Sequence, residues 1–283
     1  MDILDLRDKV TIGIPVYNEA RFIRETLESA IIQGVTVSVS DNASTDGTSE
    51  ICQEYADKGL IQYKLWTENQ GSYVNGCFLA NTVKTPYYML LGGHDLLQPG
   101  YVDALFKKLD KDSKSVLCYT TVTKEIDAHG HLLRTIDDAI LVDSMRSSYP
   151  FKRVMTIYQC QGYMAIQGLT RSLFLKKALQ NIPKPCIMVD YIILSYLASW
   201  GQWNYITSHN YIRREFRSLE LLDVWRRHND MLKMSQQGQR KLFMKYQKDV
   251  IQNIPSNKLI KWYYLRQWEK TSKVGWGNYF VFE

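Results

Sequence analysis

The sequence predicts an α/β fold built on a mostly parallel, twisted sheet with helices packed on its faces. Two observations carry this prediction. Short apolar strands alternate with amphipathic helices along the first hundred residues, and polar clusters follow the strands at their carboxyl ends. Because β-α-β units place successive strands parallel in one sheet, the loops after those strands meet at one edge, where folds of this kind bind nucleotides.

The elements can be placed in order from their hydrophobic periodicity. The predicted strands are Val10 to Ile14, Val35 to Ser40, Ile61 to Leu65 and Tyr87 to Leu91. An apolar helical stripe from Ile23 to Ile31 follows the first strand, and Pro99 is a good starter for the helix after the fourth. Beyond Ser115 the pattern loosens to one strand from Val116 to Val122, a polar stretch at Asp127 to Gly130 and no clear order until Gly162.

Composition favours a globular enzyme with one active site. With 283 residues, of which 45% are hydrophobic, the chain can bury one substantial core. The formal net charge of +6 suits phosphorylated substrates or an anionic membrane surface. No motif that reads RNA or DNA accompanies this charge, so we expect no nucleic-acid partner.

Cysteine usage and the amino terminus predict a cytoplasmic location. The five cysteines lack the spacing of a zinc site or a disulfide framework, and we expect them to be reduced and half-buried: Cys52, Cys77, Cys118, Cys160 and Cys186. The first residues are acidic and do not read as a secretion signal, and no apolar run reaches the length of a membrane span.

Two polar clusters directly follow the first two strands. The first reads Pro15-Val16-Tyr17-Asn18-Glu19 and the second Asp41-Asn42-Ala43-Ser44. Carboxylates, amides and an aromatic ring in one crevice can bind the base and ribose of a nucleotide. A glycine-rich phosphate loop of the dinucleotide or Walker type is missing from the sequence.

These residues resemble the donor half of a family 2, GT-A type glycosyltransferase, over the first hundred residues and more weakly to about residue 215. The resemblance implies a GT-A, Rossmann-like sheet and an inverting transfer of sugar from a nucleoside diphosphate donor. In the family the first loop lines the nucleotide pocket and the aspartate after the second strand binds the base, here Tyr17, Asn18, Glu19 and Asp41. Asn42 replaces the usual second aspartate. Because Asp41 remains, we expect this change to shift a contact with the nucleotide and to leave the nucleotide pocket in place.

The resemblance also divides the chain. Residues 1–98 would form the donor-binding half, residues 99–217 the acceptor and catalytic half of the same domain, and residues 218–283 a helical C-terminal extension. The expected donor-binding residues are Pro15, Tyr17, Asn18, Glu19, Asp41, Asn42, Ser44, Asn69, Gly71, Asn75, Gly93, His94 and Asp95. The segment from Asn69 to Asn75 is also a helix start, and both interpretations hold together because free backbone N–H groups there can face phosphate.

The loop after the fourth strand reads Gly92-Gly93-His94-Asp95, where family members usually carry Asp-x-Asp. The usual motif holds a divalent cation against the donor diphosphate, whose negative charge grows as the glycosidic bond breaks. Three interpretations stay open. The loop is a weak manganese or magnesium site at His94 and Asp95, a metal-free site where His94 binds the diphosphate, or a turn in which Asp95 caps the next helix.

Asp190 is the expected catalytic base. Family 2 enzymes often carry Glu-Asp here, downstream of a basic-x-x-Phe element that reads Arg171-Ser172-Leu173-Phe174 in this chain. Val189 replaces the glutamate and the aspartate remains. Apolar neighbours should raise the pKa of Asp190 and improve it as a base. The alternative is an ordinary acid in the first turn of a helix, favoured by the helix dipole.

Two basic regions lie further along the chain. Second-rank candidates for the diphosphate are His209, Arg213 and Arg214, with a solvated basic face as the alternative. From Lys258 to Lys273, Lys and Arg mix with Trp262, Tyr263, Tyr264 and Trp268, a composition that membrane interfaces favour. The alternative is that these helices pack on the core or on a second subunit.

The sequence therefore predicts an inverting glycosyltransferase that acts on a hydroxyl of a glycan or a lipid-linked saccharide, in bacterial surface polysaccharide assembly. The rival interpretation is a sugar-nucleotide binding protein of the same fold that has lost turnover with its motif aspartates. A sugar nucleotidyltransferase is disfavoured because the basic glycine-rich loop is missing.

Overall fold

The computed structural model describes residues 5–137, 139, 142–159, 163–182, 189–215, 236–254 and 256–271. Its strands are β1 Val10–Val16, β2 Thr36–Asp41, β3 Gln62–Leu65, β4 Tyr87–Leu90, β5 Leu96–Leu97, β6 Ser115–Thr120, β7 Val122–Ile126, β8 Leu132–Asp137, β9 Leu169–Arg171, β10 Gln202–Ile206 and β11 Tyr211–Arg214. Its α-helices are α1 Ile23–Ile31, α2 Thr48–Asp57, α3 Ser72–Thr82, α4 Tyr101–Asp110, α5 Val142–Met145, α6 Pro150–Gln159, α7 Ser172–Gln180, α8 Val189–Trp200, α9 Gln236–Asn253 and α10 Lys258–Thr271.

The strands form a large mostly parallel sheet and a small mixed one. The large sheet has the order β10-β6-β9-β4-β1-β2-β3, in which β9 runs antiparallel to both of its neighbours and the other pairs are parallel. The small sheet has the order β5-β11-β7-β8. The fold class predicted from the alternation of strands and helices is confirmed.

The chain beyond Ser115 differs from the prediction. The apolar run from Val116 to Val122 is not one strand, because the chain leaves the large sheet after Thr120 and enters the small sheet as β7. The polar stretch that follows is the turn between β7 and β8, where Asp127 Oδ1 accepts the backbone N–H groups of His129 and His131. Most of β8 is exposed on both faces, so its sequence lacks the alternation of apolar and polar residues that predicts a strand.

Two hydrophobic clusters cover the faces of the large sheet. One contains β1, β2 and the helices α1, α2 and α4, and the other contains α3, α6, α7 and α8. The C-terminal helices α9 and α10 belong to the second cluster through buried side chains at Tyr246, Val250, Ile251, Ile254 and Trp268. The described part of the extension therefore packs on the helices that cover one face of the large sheet, while residues 216–235 lie outside the described residues.

Two of the three cysteines in the described residues are more buried than expected. Cys52 and Cys118 are buried free thiols and Cys77 is partly buried, while Cys160 and Cys186 lie outside the described residues. Burial raises the pKa of the Cys52 thiol to about 12. Within the described ranges, no helix combines the length and apolar character that crossing a bilayer requires.

A matched pair of glycine substitutions tests the packing of β1. A Cβ at Gly13 would lie 2.1 Å from the hydroxyl oxygen of Tyr88, whose ring is buried. We expect Gly13→Ala to lower the free energy of unfolding by about 1–3 kcal/mol through overpacking. Gly76→Ala in α3 should raise it by up to about 1 kcal/mol, since apart from its chain neighbours and the helix's own backbone no described atom lies within 4 Å of a Cβ there. Urea denaturation measures both, and equal effects would contradict this account of Gly13.

Candidate active site

The loops after β1, β2 and β4 meet at one edge of the large sheet. Val16 at the end of β1 pairs with Asp41 at the end of β2, and Gly13 of β1 pairs with Leu90 at the end of β4. This parallel register brings together the Tyr17 to Glu19 loop, Asp41 with Asn42, and the Gly92 to Asp95 loop. Pro15 lies inside β1, opposite Ser40 of β2, and Tyr17 is half-buried just beyond the strand.

The first two loops are held together by a pair of hydrogen bonds. The backbone N–H of Asn18 donates to Ser44 Oγ over 2.9 Å, and the backbone N–H of Thr45 donates to Asn18 Oδ1 over 2.9 Å. Asn18 has φ +56 and Ala43 has φ +61, a left-handed conformation that alanine rarely adopts. The hydrogen bonds across the two loops therefore hold a strained backbone at this edge of the sheet.

Asp41 is buried at the end of β2, and both carboxylate oxygens accept hydrogen bonds. Oδ1 accepts the backbone N–H of Ser44 over 2.9 Å, and Oδ2 accepts the hydroxyl of Tyr63 over 3.0 Å. Burial and the Asp41 charge raise the pKa of Tyr63 well above its usual value, so this hydroxyl remains a donor. Tyr63 was not predicted from the sequence. The available signal was its position in the predicted strand that follows Asp41, where side chains alternate between the two faces of the sheet.

Asn42 and Asn69 connect the end of β2 to the start of α3. Asn42 Nδ2 donates to Asn69 Oδ1 over 2.7 Å, while Asn42 Oδ1 accepts the backbone N–H of Gln70 over 2.7 Å. Asn69 Oδ1 also accepts the backbone N–H of Gly71, which has φ +82. An asparagine at position 42 supplies both a donor and an acceptor here, and an aspartate could supply only acceptors.

Asn75 is buried in the first half of α3 and contacts both central strands. Its Oδ1 accepts the hydroxyl of Ser40 over 2.6 Å and the indole N–H of Trp66 over 3.1 Å. Its Nδ2 donates to the carbonyl oxygens of Ser40 and Val16, over 2.9 Å and 3.4 Å. This side chain fixes α3 against the carboxyl ends of β1 and β2.

His94 lies between two carboxylates at the end of β4. Its Nδ1 is 2.9 Å from Glu19 Oε1, and its Nε2 is 3.9 Å from Asp95 Oδ1. Burial lowers the pKa of His94, but the Glu19 hydrogen bond and the charges of Asp95 and Glu19 outweigh it, so the pKa is raised. The surroundings of this imidazole therefore stabilise positive charge.

Asp95 is turned into the protein. Its Oδ2 accepts the hydroxyl of Tyr211 over 2.7 Å and its Oδ1 accepts the backbone N–H of Arg214 over 2.9 Å. Arg214 is also buried, and its guanidinium donates to the carbonyl of His94 and pairs with Glu25 over 2.6 Å. β11 thus supports the His94 loop from behind.

The two glycines of this loop are explained by close packing. A Cβ at Gly92 would lie 2.6 Å from Asp95 Oδ2, and a Cβ at Gly93 would lie 3.0 Å from both Glu19 Cγ and Val16 Cγ1. An aspartate at position 92, the usual first residue of Asp-x-Asp, therefore requires Asp95 to move. The absence of that motif in the sequence agrees with the inward position of Asp95.

The residues around His94 fit a divalent cation with few protein ligands. An imidazole nitrogen and carboxylate oxygens are suitable ligands for manganese, and the local charge favours a cation. In the part of the chain that the structure describes, no three His, Cys, Asp or Glu residues are grouped to hold a metal. His94 is therefore the described side chain that would hold such a cation, and the cation would supply charge neutralisation there.

Asp190 lies in the first turn of α8, and its convergence with Asp41 and His94 stays a prediction. The Asp190 side chain is exposed, yet the protein around the carboxyl desolvates it and raises its pKa. Helix α8 is followed directly by β10, which runs parallel to β6 in the large sheet. A helix that returns along the sheet in this way begins near the carboxyl edge of the strands, the edge that bears the other candidate residues.

The remaining basic candidates have partners within the protein. Arg213 pairs with Glu125 over 3.2 Å and with Glu215 over 2.6 Å. The His209 ring lies beside Gly100, and its Nδ1 is 2.9 Å from the hydroxyl of Ser208. A contact of His209, Arg213 or Arg214 with a diphosphate stays a prediction.

Comparison with known proteins identifies the family. The model of glycosyl transferase family 2 matches residues 11–182, which is more than half of the chain. The chain belongs to glycosyl transferase family 2. The chondroitin synthase of Escherichia coli is 31% identical over 128 residues, which cover 44% of this family 2 chain and 18% of the synthase.

Solved structures share the fold of this family 2 chain. Staphylococcus aureus TarS 1–349 in complex with UDP-GlcNAc superposes with a TM-score of 0.68 at 16% identity, over 92% of this chain and 71% of that one. The mannosyltransferase PcManGT from Pyrobaculum calidifontis, with GDP-Man and Mn2+, gives a TM-score of 0.57 at 16% identity, over 92% and 69%. The matched segments cover no more than 39% of the length of the curated relatives.

Two buried tyrosines test the support behind the His94 loop. Tyr211→Phe removes the hydroxyl that donates to Asp95, and we expect the free energy of unfolding to fall by about 1–3 kcal/mol. Tyr88→Phe removes a buried hydroxyl that has no hydrogen-bond partner among the described residues, so stability should stay within about 0.5 kcal/mol or rise. Chemical denaturation compares the two proteins, and a neutral Tyr211→Phe would show that the Asp95 contact contributes nothing.

Proposed function

We propose that the chain transfers a sugar from a nucleoside diphosphate donor to a hydroxyl of a glycan or lipid-linked saccharide, with inversion at the anomeric carbon. The observation that carries the proposal is the convergence of three strand ends, which brings the Glu19 loop, Asp41 and His94 to one edge of the sheet. Membership of family 2 supports the reaction class. The similarity to a chondroitin synthase supports a role in polysaccharide assembly.

The donor would occupy the edge formed by these loops. We assign the nucleoside to Asp41, Tyr17 and Asn18, and the diphosphate to the loop that bears His94. Asn42, Asn69 and Asn75 would act through the backbone they hold, since their amides bond to neighbouring loops and strands. TarS with UDP-GlcNAc and PcManGT with GDP-Man support a nucleotide sugar in a fold of this kind.

His94 would handle the charge of the leaving group. Glu19 fixes the orientation of the imidazole, and Glu19 and Asp95 together favour a positive charge beside it. A manganese or magnesium ion held by His94 would supply charge neutralisation for the diphosphate. The protein's own contribution is to position the imidazole at the carboxyl end of β4, beside the carboxylates of Glu19 and Asp95.

Asp190 would act as the base. The acceptor oxygen attacks the anomeric carbon in line, on the face opposite the leaving group. As that bond forms, the bond from the anomeric carbon to the diphosphate oxygen breaks, and the oxygen leaves with the electron pair. The acceptor proton passes to the Asp190 carboxylate. The protein around the carboxyl desolvates it and raises its pKa, so this carboxylate is more basic than a free one, which favours proton transfer at neutral pH.

A catalytically inactive nucleotide-binding protein is the second candidate. Gly92 and His94 stand at the usual motif positions, and both oxygens of Asp95 are already bonded within the protein. Such a protein would bind a nucleoside diphosphate and show no turnover with any acceptor. A thermal-shift panel of nucleoside diphosphates identifies the donor class, and nucleotide release from the matching sugar donor separates the two candidates.

The catalytic role of Asp190 has a matched control in Asp143, an exposed acid in the first turn of α5. Asp190→Asn should lower kcat by about 10²–10⁴-fold and leave nucleotide binding intact. Asp143→Asn should retain wild-type activity. In the wild type, kcat/KM should fall as the pH drops through the raised pKa of Asp190, because only the carboxylate accepts a proton. If both variants keep full activity, Asp190 is an ordinary first-turn acid.

Metal dependence at His94 can be measured through nucleotide affinity. We expect manganese to tighten binding of the matching nucleoside diphosphate by about tenfold or more in the wild type, because a cation held by His94 would neutralise charge on the diphosphate. His94→Ala should lose this gain, and His129→Ala, in the exposed turn after β7, should keep it. Calorimetric titration with and without manganese measures the effect. An equal manganese effect in His94→Ala would remove His94 as the ligand.

A further inference from the structure

Helix α10 is docked on the domain by one face, so its rotation is fixed. The ring of Tyr264 stacks on Phe151 of α6 with centroids 4.0 Å apart. Trp268 is buried, and its indole N–H donates to Gln247 of α9 over 2.9 Å. These contacts determine which side chains of α10 point away from the protein.

The opposite face of α10 carries large apolar side chains in solvent. Leu259 is 78% exposed, Trp262 59% and Tyr263 52%. Positions three and four residues apart lie on one face of a helix, so these side chains form a continuous patch beside Ile260, itself 42% exposed. Single exposed apolar residues are common on protein surfaces, but a contiguous patch on one helix face indicates an interaction site. We call Leu259, Ile260, Trp262 and Tyr263 the α10 patch.

The two helices α9 and α10 that form the C-terminal part of the described chain are strongly basic. Lys258 and Arg266 are exposed on the same helix, and the Arg266 guanidinium lies 5.4 Å from the centroid of the Trp262 ring. Between residues 236 and 271 the sequence has eight Lys and Arg against two acidic residues, an excess equal to the net charge of the whole chain. Three of these lysines are exposed on α9: Lys241, Lys245 and Lys248.

We propose that the α10 patch docks on the headgroup region of an anionic membrane. Tryptophan and tyrosine have amphipathic rings that lie at this depth, and neighbouring Lys and Arg side chains bind anionic lipid. A second copy of the chain would bring two basic surfaces together, and the repulsion between like charges opposes that contact. Charge complementarity therefore selects the anionic bilayer over a homodimer.

Docking through α10 would keep the catalytic domain next to a lipid-bound acceptor, and this consequence rests on the proposed function. Helix α10 packs on α6 and α9, and these helices share a hydrophobic cluster with α8, whose first turn contains Asp190. The orientation of α10 on a bilayer would thus be transmitted to α8 through packed side chains. The docking itself does not depend on any transfer activity.

Vesicle flotation tests the α10 patch. The 283-residue chain should float with phosphatidylcholine vesicles that contain about 30% phosphatidylglycerol and remain unbound with pure phosphatidylcholine. The double variant Trp262→Ala and Tyr263→Ala should lose about tenfold or more in partitioning, since apolar contact with the interface is removed. Raising the salt concentration should weaken binding of the wild type, because part of the attraction is electrostatic.

A matched control is the double variant Leu132→Ala and Leu133→Ala, which removes exposed apolar side chains from β8. It should float like the wild type, and all variants should retain the thermal stability and nucleotide binding of the wild type. Asp190→Asn should also float normally, so loss of turnover and loss of docking are separable. Equal flotation of the Trp262 and Tyr263 variant, or no flotation of the wild type, would overturn the proposal. Dimerisation in solution that the same double variant abolishes would assign the patch to a second copy instead.

Discussion

The parallel register of β2, β1 and β4 is the constraint on which the rest of the site depends. Val16 pairs with Asp41 and Gly13 pairs with Leu90, so the loops that leave these strands must emerge at one level. Asn75 reinforces this arrangement because its amide bonds to the main chain at the ends of both β1 and β2. Each such bond satisfies a buried backbone carbonyl that has lost its hydration. Asn75 therefore stabilises the ends of both strands.

Electrostatics at this edge follow from the same geometry. The register places Glu19 and the β4 loop side by side, and the small size of Gly93 lets the two loops pack closely. His94 then lies between Glu19 and Asp95, and its raised pKa shows that the carboxylates outweigh the cost of burial. The loop thus stabilises positive charge without the aspartates that family 2 members usually carry here.

The C-terminal helix α10 has two faces with different surroundings. One face of α10 packs into the core through Tyr264 and Trp268, and the other exposes Trp262 and Tyr263 among basic side chains. Tyr264 and Trp268 therefore lie in the core, and Trp262 and Tyr263 lie in solvent. Their spacing along the helix places the two pairs on different faces. A helix anchored in this way can present a rigid surface, since its packed face holds the exposed face in one orientation.

From β1 to β4, the sequence by itself determined the order of the main strands and helices, and it determined the polar loops at the ends of β1, β2 and β4. Hydrophobic periodicity and strand-end polarity are local patterns, and right-handed parallel connections leave few topologies to choose from. Tertiary structure alone decided that Asp95 turns inward to Tyr211, that Tyr63 bonds to Asp41 and that Arg214 supports the His94 carbonyl. These contacts join residues far apart in the chain. The direction of each side chain is set by the partners that folding brings to it, so a local sequence pattern does not predict that direction.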